Sequence, residues 1–235
     1  MNIRLFRDQS DVLNVVQRSL AASILLSVLI LPWLWALNEI EWNIKIDWSE
    51  FLWAVKNSSS QAALSALFAI CLGVPGALGL LSFSPHSKTR RILDVLFLGP
   101  NFLPAIFLLV SCLQLFGRSL FGVFGIALVH GFMNAGLVAV GLAGKSDEEL
   151  GPSCELSLVM GAPRFLFLKK IWLPLVVRDI LKYFLLIFVF SFSALTVPLV
   201  LGGSSGTTLE VLILEKLRVE GSLPTATVLA FSQGV

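Results

Sequence analysis

Long apolar stretches alternate with short polar segments along nearly the whole chain. A membrane-spanning helix needs about 20 mostly apolar residues. Stretches near that length occupy residues 19–38, 60–83, 92–116, 120–143 and 183–201. A sixth begins at residue 223 and is unfinished at Val235. The pattern predicts an all-α, polytopic membrane protein of about six transmembrane helices, the sixth truncated, in a chain that is a fragment of a longer product.

The third apolar stretch contains residues that interrupt helices. Gly99, Pro100 and Asn101 stand near its middle, and Pro104 follows them. Because proline lacks a backbone N–H and disfavours a helical conformation in the residue before it, we expect this span to be broken.

Composition supports a membrane protein and excludes several other classes. Of the 235 residues, 56% are hydrophobic and 14% are charged, whereas soluble domains have about 45–50% apolar residues and about a quarter charged. The mean hydropathy is +0.87. The net charge of +2 is too small to indicate a nucleic-acid partner. The three cysteines (Cys71, Cys112 and Cys154) lack metal-ligand spacing, so we expect packing roles and no metal or other cofactor.

Lysine and arginine predict the orientation, because cytoplasmic loops carry an excess of these residues. With the N-terminus inside, the cytoplasmic group is Arg4, Arg7, Arg18, Lys88, Arg90, Arg91, Lys145, Arg164, Lys169, Lys170, Arg178 and Lys182. The external group is Lys45, Lys56, Arg118, Lys216 and Arg218. We therefore expect an uncleaved cytoplasmic leader at residues 1–18 and a transmembrane domain at residues 19–235, with the longest cytoplasmic loop at residues 145–174.

The first half of this loop predicts a short helix. Ser146 and Glu149 have the spacing of a capping box. Pro152 suits a first helical turn, where its missing N–H would be unsatisfied in any case. Gly161 suits the end of that helix, because glycine tolerates the left-handed conformation of a C-terminal cap.

The second half predicts another short helix, which begins after Pro163 and carries the apolar residues 165–167. Lys169 and Lys170 fall in its last turn, where cations suit the helix dipole. Pro174 marks a bend into the next span. Two roles fit such an elbow with an apolar tip: it rests on the lipid interface, or it inserts into an apolar groove of a partner protein.

The loop resembles the EAA loop of bacterial ABC-importer permeases. That family pattern is Glu-Ala-Ala, three residues, Gly, nine residues and Ile-x-Leu-Pro. The corresponding residues here are Glu155, Gly161 and the run Ile171, Trp172, Leu173 and Pro174. The match is complete from Gly161 onward, and the departure is Leu156-Ser157 in place of Ala-Ala.

The resemblance implies a type I importer permease in the bacterial inner membrane. It implies that Gly161 is a pivot and that residues 162–167 dock in a cleft of the ATP-binding subunit. The coupling-loop residues it implies are Glu155, Gly161, Ala162, Pro163, Phe165, Phe167, Ile171, Leu173 and Pro174. It also implies that the chain is not itself an enzyme. The implied partners are an ABC ATP-binding subunit dimer, a periplasmic substrate-binding protein and a second permease half or subunit, all meeting at the lipid bilayer.

The run LGGSSGTTLEVLILEKL at residues 201–217 resembles the thiamine and ferric-iron branch of these permeases, with the thiamine permease as the closer likeness. Members of that branch are often two fused halves, and this chain resembles a first half. Thiamine or its phosphates is therefore the implied substrate, with ferric iron as the alternative. A different class, an ATP-independent secondary carrier or channel, predicts intramembrane carboxylates. The only acid near a span is Asp94, beside Arg90 and Arg91, and we expect it to form a local ion pair there.

Several polar residues fall inside the predicted spans. His130 and Asn134 lie one helical turn apart, and Ser191, Ser193 and Thr196 lie near one face of the fifth span. Such residues either join helices by hydrogen bonds or line a translocation path, and both roles stay open here. The run at residues 139–146 nearly spells a phosphate-binding loop, but it belongs to a span and follows no strand.

Overall fold

The computed structural model describes residues 17–28, 30–31, 34–35, 46–159, 163–203 and 205–234. Every regular element within these residues is a helix, which confirms the all-α prediction. In chain order the α-helices are α1 (Trp48–Leu80), α2 (Lys88–Phe102), α3 (Ala105–Phe116), α4 (Val123–Val159), α5 (Arg164–Phe167), α6 (Leu173–Phe192), α7 (Thr196–Leu201), α8 (Leu209–Arg218) and α9 (Leu223–Gly234). A 3₁₀ turn at Gly117–Leu120 precedes α4, and a π-helical turn at Leu168–Trp172 joins α5 to α6.

The chain divides into two compact units. One comprises residues 47–212, which we call the main unit, and the other comprises residues 1–46 and 213–235. In the second unit residues 17–28 are helical, and α9 begins where the N–H of Ala226 donates to the carbonyl of Ser222. Most of the predicted leader, residues 1–16, and parts of the first predicted span lie outside the described residues.

Two described helices are long and apolar enough to cross a membrane: α1 and the part of α4 up to Leu150. The pair α2 and α3 gives a third candidate if the two helices count as one bent span. α1 is longer than its predicted span, because Asp47 caps it well before residue 60. The Asp47 carboxylate accepts hydrogen bonds from the backbone N–H groups of Ser49 at 2.9 Å and Glu50 at 3.3 Å.

α2 and α3 meet at a sharp break, with an angle of 96° between them. Leu103 has an extended conformation (φ −80°, ψ 143°), as expected for the residue before Pro104. The predicted interruption at Pro104 is therefore confirmed. The predicted interruption at Gly99–Asn101 is wrong, because these residues continue α2 and the side chain of Asn101 donates to the carbonyl of Met133 at 2.8 Å.

α4 runs without a break from Val123 to Val159, so the predicted capping box and the helix start at Pro152 are wrong. Ser146 lies in the middle of α4 and its hydroxyl donates to the carbonyl of Leu142 at 2.7 Å. An ion pair between Lys145 and Glu149, one turn apart, further supports helix where a start was expected. The residues that resemble a phosphate-binding loop are helical as well.

The predicted bend at Pro174 is also wrong, because α5, the π-helical turn and α6 follow one another without interruption. In the π-helical turn the N–H of Leu173 donates to the carbonyl of Leu168, five residues back. Pro174 then falls in the first turn of α6, where its missing N–H is tolerated. α6 ends at Phe192, earlier than the predicted span, and α7 begins after a break. Pro198 lacks the N–H that would bond the carbonyl of Ala194 in a continuous helix.

The core of the main unit lies where α1, α2, α4 and α6 pack together. The contact surfaces of α1 and α4 consist mostly of small residues, and Gly73 shows why: a Cβ there would lie 2.5 Å from the Cβ of Val138. A second cluster joins α3, α4 and α7 around Leu109, Ile126 and Leu201. These close approaches let the backbones of membrane helices gain dispersion contacts that larger side chains would prevent.

Candidate functional site

The residues predicted to form the coupling loop lie on both sides of the gap at residues 160–162. Glu155 belongs to the helical backbone of α4. Gly161 and Ala162 lie outside the described residues. Pro163 is exposed immediately before α5, and its carbonyl accepts hydrogen bonds from the N–H groups of Leu166 at 2.9 Å and Phe167 at 3.3 Å.

The apolar side chains of α5 point in two directions. Phe165 is 73% exposed, whereas Phe167 is partly buried and packs against the core cluster that contains Trp172 and Leu150. Farther along, Ile171, Leu173 and Pro174 are exposed. α5 is therefore fixed to the core by one aromatic side chain while it presents another, and the structure does not place all of the predicted docking residues on one surface.

Trp172 is a buried residue of the EAA-like motif that our candidate residues omit. It is 2% exposed, and its Nε1–H donates to the Ser146 hydroxyl at 2.9 Å. The Ser146 hydroxyl in turn donates to the carbonyl of Leu142. A buried tryptophan usually finds an acceptor for its N–H. The signal available in the sequence was the tryptophan at the variable position of the Ile-x-Leu-Pro run.

A buried arginine joins three helices close to Trp172. Arg90 is 3% exposed and its Nε donates to Asp94 at 2.9 Å, which confirms the predicted ion pair. Its Nη1 donates to the carbonyl of Leu80 at 2.9 Å, and its Nη2 lies 3.1 Å from a carboxylate oxygen of Asp147. We call the region where Leu80, Arg90 and Asp147 meet the basic end. Sequence reasoning missed Asp147 because it lies far along the chain from Arg90.

A second polar cluster is buried between α1, α4 and α6. The Gln61 side chain is fully buried; its Oε1 lies 3.3 Å from His130 Nδ1, and its Nε2 donates to the carbonyl of Ser191 at 2.5 Å. Ser191 is also buried, and its hydroxyl has no hydrogen-bond partner among the described residues. Gln61 was not among the predicted polar residues, although it brings two of them, His130 and Ser191, to one place.

The other predicted path residues lie elsewhere. The Asn134 side chain donates to the carbonyl of His130 in its own helix, at 2.9 Å. Ser193 and Thr196 are exposed at the break between α6 and α7. The five residues therefore do not form one lining, and a path along them stays a prediction.

The end of α1 opposite the basic end holds part of the segment that resembles the thiamine and ferric-iron branch. Asn57 Nδ2 donates to the carbonyls of Thr207 at 3.0 Å and Ser205 at 3.4 Å. The Ser58 hydroxyl accepts a hydrogen bond from the N–H of Leu209 at 2.8 Å. These bonds satisfy backbone N–H and carbonyl groups of an irregular segment. Such groups are costly to leave unpaired away from water.

Solved structures that share this fold include two of bacterial ABC transporters. A chain of a bacterial ABC transporter involved in the import of the acidic polysaccharide alginate matches with a TM-score of 0.69 at 16% sequence identity, covering 97% of this chain and 92% of that chain. A chain of a bacterial alginate ABC transporter in complex with an alginate pentasaccharide-bound periplasmic protein matches with a TM-score of 0.72 at 17% identity, covering 98% and 92%. No family model and no curated protein sequence matches the chain. The finding is one of fold: the chain shares the fold of these two chains from bacterial ABC transporters.

Proposed function

We propose that the chain is a transmembrane permease subunit, or half of one, of an ATP-driven ABC importer. It carries a small solute from a periplasmic binding protein to the cytoplasm, and a separate subunit hydrolyses ATP. The observation that carries this proposal is the EAA-like spacing from Gly161 to Pro174, in a chain whose fold matches chains of ABC transporters along nearly its full length.

The surface of α5 supports docking to an ATP-binding subunit. A helix that binds in an apolar groove needs an exposed apolar anchor and a firm attachment to its own protein. Phe165 supplies the exposed anchor, while Phe167 and Trp172 pack against the core. Movement of the ATP-binding subunits would then be passed to the permease as rigid-body rocking of helices.

Co-purification with the ATP-binding subunit tests this proposal. We expect Phe165→Ala to lower the affinity for that subunit by about 2 kcal/mol, a typical cost for truncating an aromatic hot spot. The matched control is Phe121→Ala. Phe121 is also exposed, but it lies just before the start of α4, whereas Phe165 lies beyond the end of α4. Equal binding and equal ATPase stimulation for wild type, Phe165→Ala and a Gly161 variant would contradict the proposal.

We further propose thiamine or its phosphates as the substrate, with ferric iron as the second candidate. The support is the likeness of residues 201–217 to that branch of permeases. Uptake of radiolabelled thiamine into cells that lack their own importer tests this assignment. Labelled ferric citrate and a labelled alginate oligosaccharide are tested separately as alternative substrates. Uptake of an alternative substrate without thiamine uptake would reject thiamine and leave the permease proposal standing.

The buried polar cluster gives little support to an ATP-independent carrier. Coupling to an ion gradient usually needs an acidic side chain inside the membrane. Gln61, His130 and Ser191 provide none, and residues 51–80 and 95–146 contain no aspartate or glutamate. Transport that continues without the ATP-binding subunit but requires an ion gradient would favour the carrier and reject the importer.

A further inference from the structure

The buried Arg90 side chain makes polar contacts that connect three helices at the basic end. Arginine presents its N–H donors in a rigid planar fork, so its partners are held in fixed relative positions. Asp94 belongs to the same helix as Arg90 and therefore joins nothing new. The carbonyl of Leu80 and the carboxylate of Asp147 are the partners that connect α2 to α1 and to α4.

A hydrogen bond leads from this arginine network toward α5. Trp172, the last residue of the π-helical turn, donates to Ser146, which immediately precedes Asp147 in α4. Trp172 also belongs to the same apolar cluster as Leu80, with Phe167 packed against it. A displacement of α5 and the π-helical turn therefore acts on α4 at the residue next to the partner of Arg90.

The contact between Arg90 and α4 depends on the position of the charged Asp147 carboxylate. A guanidinium that is almost fully buried must keep its compensating charges, since an unpaired charge in a poorly solvated place is costly. If α4 moved alone, Arg90 would lose Asp147 and retain Asp94. The arrangement therefore favours movement of α4 together with the ends of α1 and α2 over movement of α4 alone.

We propose that Arg90 is a positioning residue that transmits displacement of α5 and the π-helical turn to the ends of α1 and α2 during the transport cycle. This inference rests on the proposed function, because it needs an ATP-binding subunit that moves α5. It adds to that function a route by which the movement of α5 reaches α1 and α2.

Two fluorescent reporters in the assembled importer, embedded in lipid nanodiscs, test the inference. After serine replaces Cys71, Cys112 and Cys154, an environment-sensitive dye is attached in separate samples at Lys169→Cys or Ser82→Cys. Both positions are exposed, the first beside α5 and the second just beyond the end of α1. ATP with vanadate is the ligand, so the experiment needs no transported substrate.

We expect both reporters to respond to ATP with vanadate when the network is intact. In Asp147→Asn the Lys169 reporter should still respond, while the response at Ser82 should fall by about fivefold or more, as for a typical coupling between distant sites. Asp147→Glu, which retains the carboxylate, should restore the response at Ser82. Glu148→Gln is the matched control, because Glu148 neighbours Asp147 but is absent from the Arg90 network.

The outcomes separate this inference from the proposed function. Silence of the Lys169 reporter with an intact network would reject the proposed function and the inference together. A response at Lys169 with none at Ser82, or an equal response at Ser82 in Asp147→Asn, would reject the inference alone. If Asp147→Asn does not fold, Trp172→Phe replaces it, since this change removes the N–H donor to Ser146 and keeps an aromatic ring. The control for that variant is Trp48→Phe, and an undiminished response at Ser82 in Trp172→Phe would also reject the inference.

Discussion

Gln61 is fully buried and uses both ends of its side-chain amide. Its carbonyl oxygen faces the His130 ring, and its amino group donates to the backbone of α6. One side chain of α1 thus holds α4 and α6 in register. Since apolar packing has no hydrophobic driving force between helices in lipid, such a bridge contributes to specificity out of proportion to its size.

Replacing Gln61 with leucine should destabilise the protein while preserving most of the side-chain volume. We expect a loss of about 1 kcal/mol, because buried partners are left unpaired but interhelical hydrogen bonds in membranes are individually modest. Asn134→Leu is the control, since within the described part of the chain the Asn134 side chain donates to a carbonyl of its own helix and not to another helix. Thermal unfolding in detergent measures the difference, and equal midpoints for the two variants would contradict a bridging role.

At this scale, local spacing determined what could be predicted. The Arg90–Asp94 pair was predictable because the two residues are one helical turn apart. Gln61 and Ser191 are separated by 130 positions, so only the fold brings them together. Ser146 shows the opposite error: its spacing to Glu149 fits a capping box, yet the same hydroxyl can bond the carbonyl one turn back inside a helix.

At the scale of elements, α4 is held by neighbours that approach its backbone very closely. A Cβ on Gly136 would lie 1.6 Å from the carbonyl oxygen of Phe97 in α2. By contrast, a Cβ on Gly144, two turns farther along α4, would meet nothing within 4 Å. Of these two glycines of α4, Gly136 is needed for helix packing and Gly144 is not.

Alanine at these positions should have opposite effects. Gly136→Ala must separate α4 from α2 and should lower the free energy of unfolding by about 1–3 kcal/mol, as overpacking does. Gly144→Ala meets open space and should raise it by up to about 1 kcal/mol, because alanine favours a helix over glycine. Thermal unfolding of both variants in the same detergent is the measurement, and destabilisation by both changes would mean that helix propensity and packing are not separable here.

The prolines predicted a break in a helix correctly at one position and wrongly at two others. Pro104 breaks the chain between α2 and α3, as predicted. Pro100 continues α2, and Pro174 is accommodated in the first turn of α6 behind a π-helical turn. The sequence shows which N–H is missing, but the surrounding helices decide whether the chain bends or the hydrogen-bond pattern shifts.

At the scale of the whole molecule, apolar composition and stretch length were enough to predict an all-α membrane protein. They did not reveal which helices touch, because lipid-facing and helix-facing residues are equally apolar. The packing of α1 against α4 depends on small residues that the hydropathy pattern treats as neutral. The prediction that the basic end faces the cytoplasm rests on a separate feature of the sequence, the distribution of lysine and arginine.

Chemical labelling of the two ends of the main unit tests that orientation. Ser84, in the turn between α1 and α2, and Phe121, just before α4, are both exposed. Since loops rich in lysine and arginine stay on the cytoplasmic side, a cysteine at position 84 should be protected in right-side-out vesicles and one at position 121 should react. A membrane-impermeant maleimide, applied after serine replaces the native cysteines, measures the reaction, and permeabilised vesicles provide the control for reactivity. Labelling at position 84 with protection at position 121 would reverse the orientation and place α5 outside the cell, where no ATP-binding subunit could reach it.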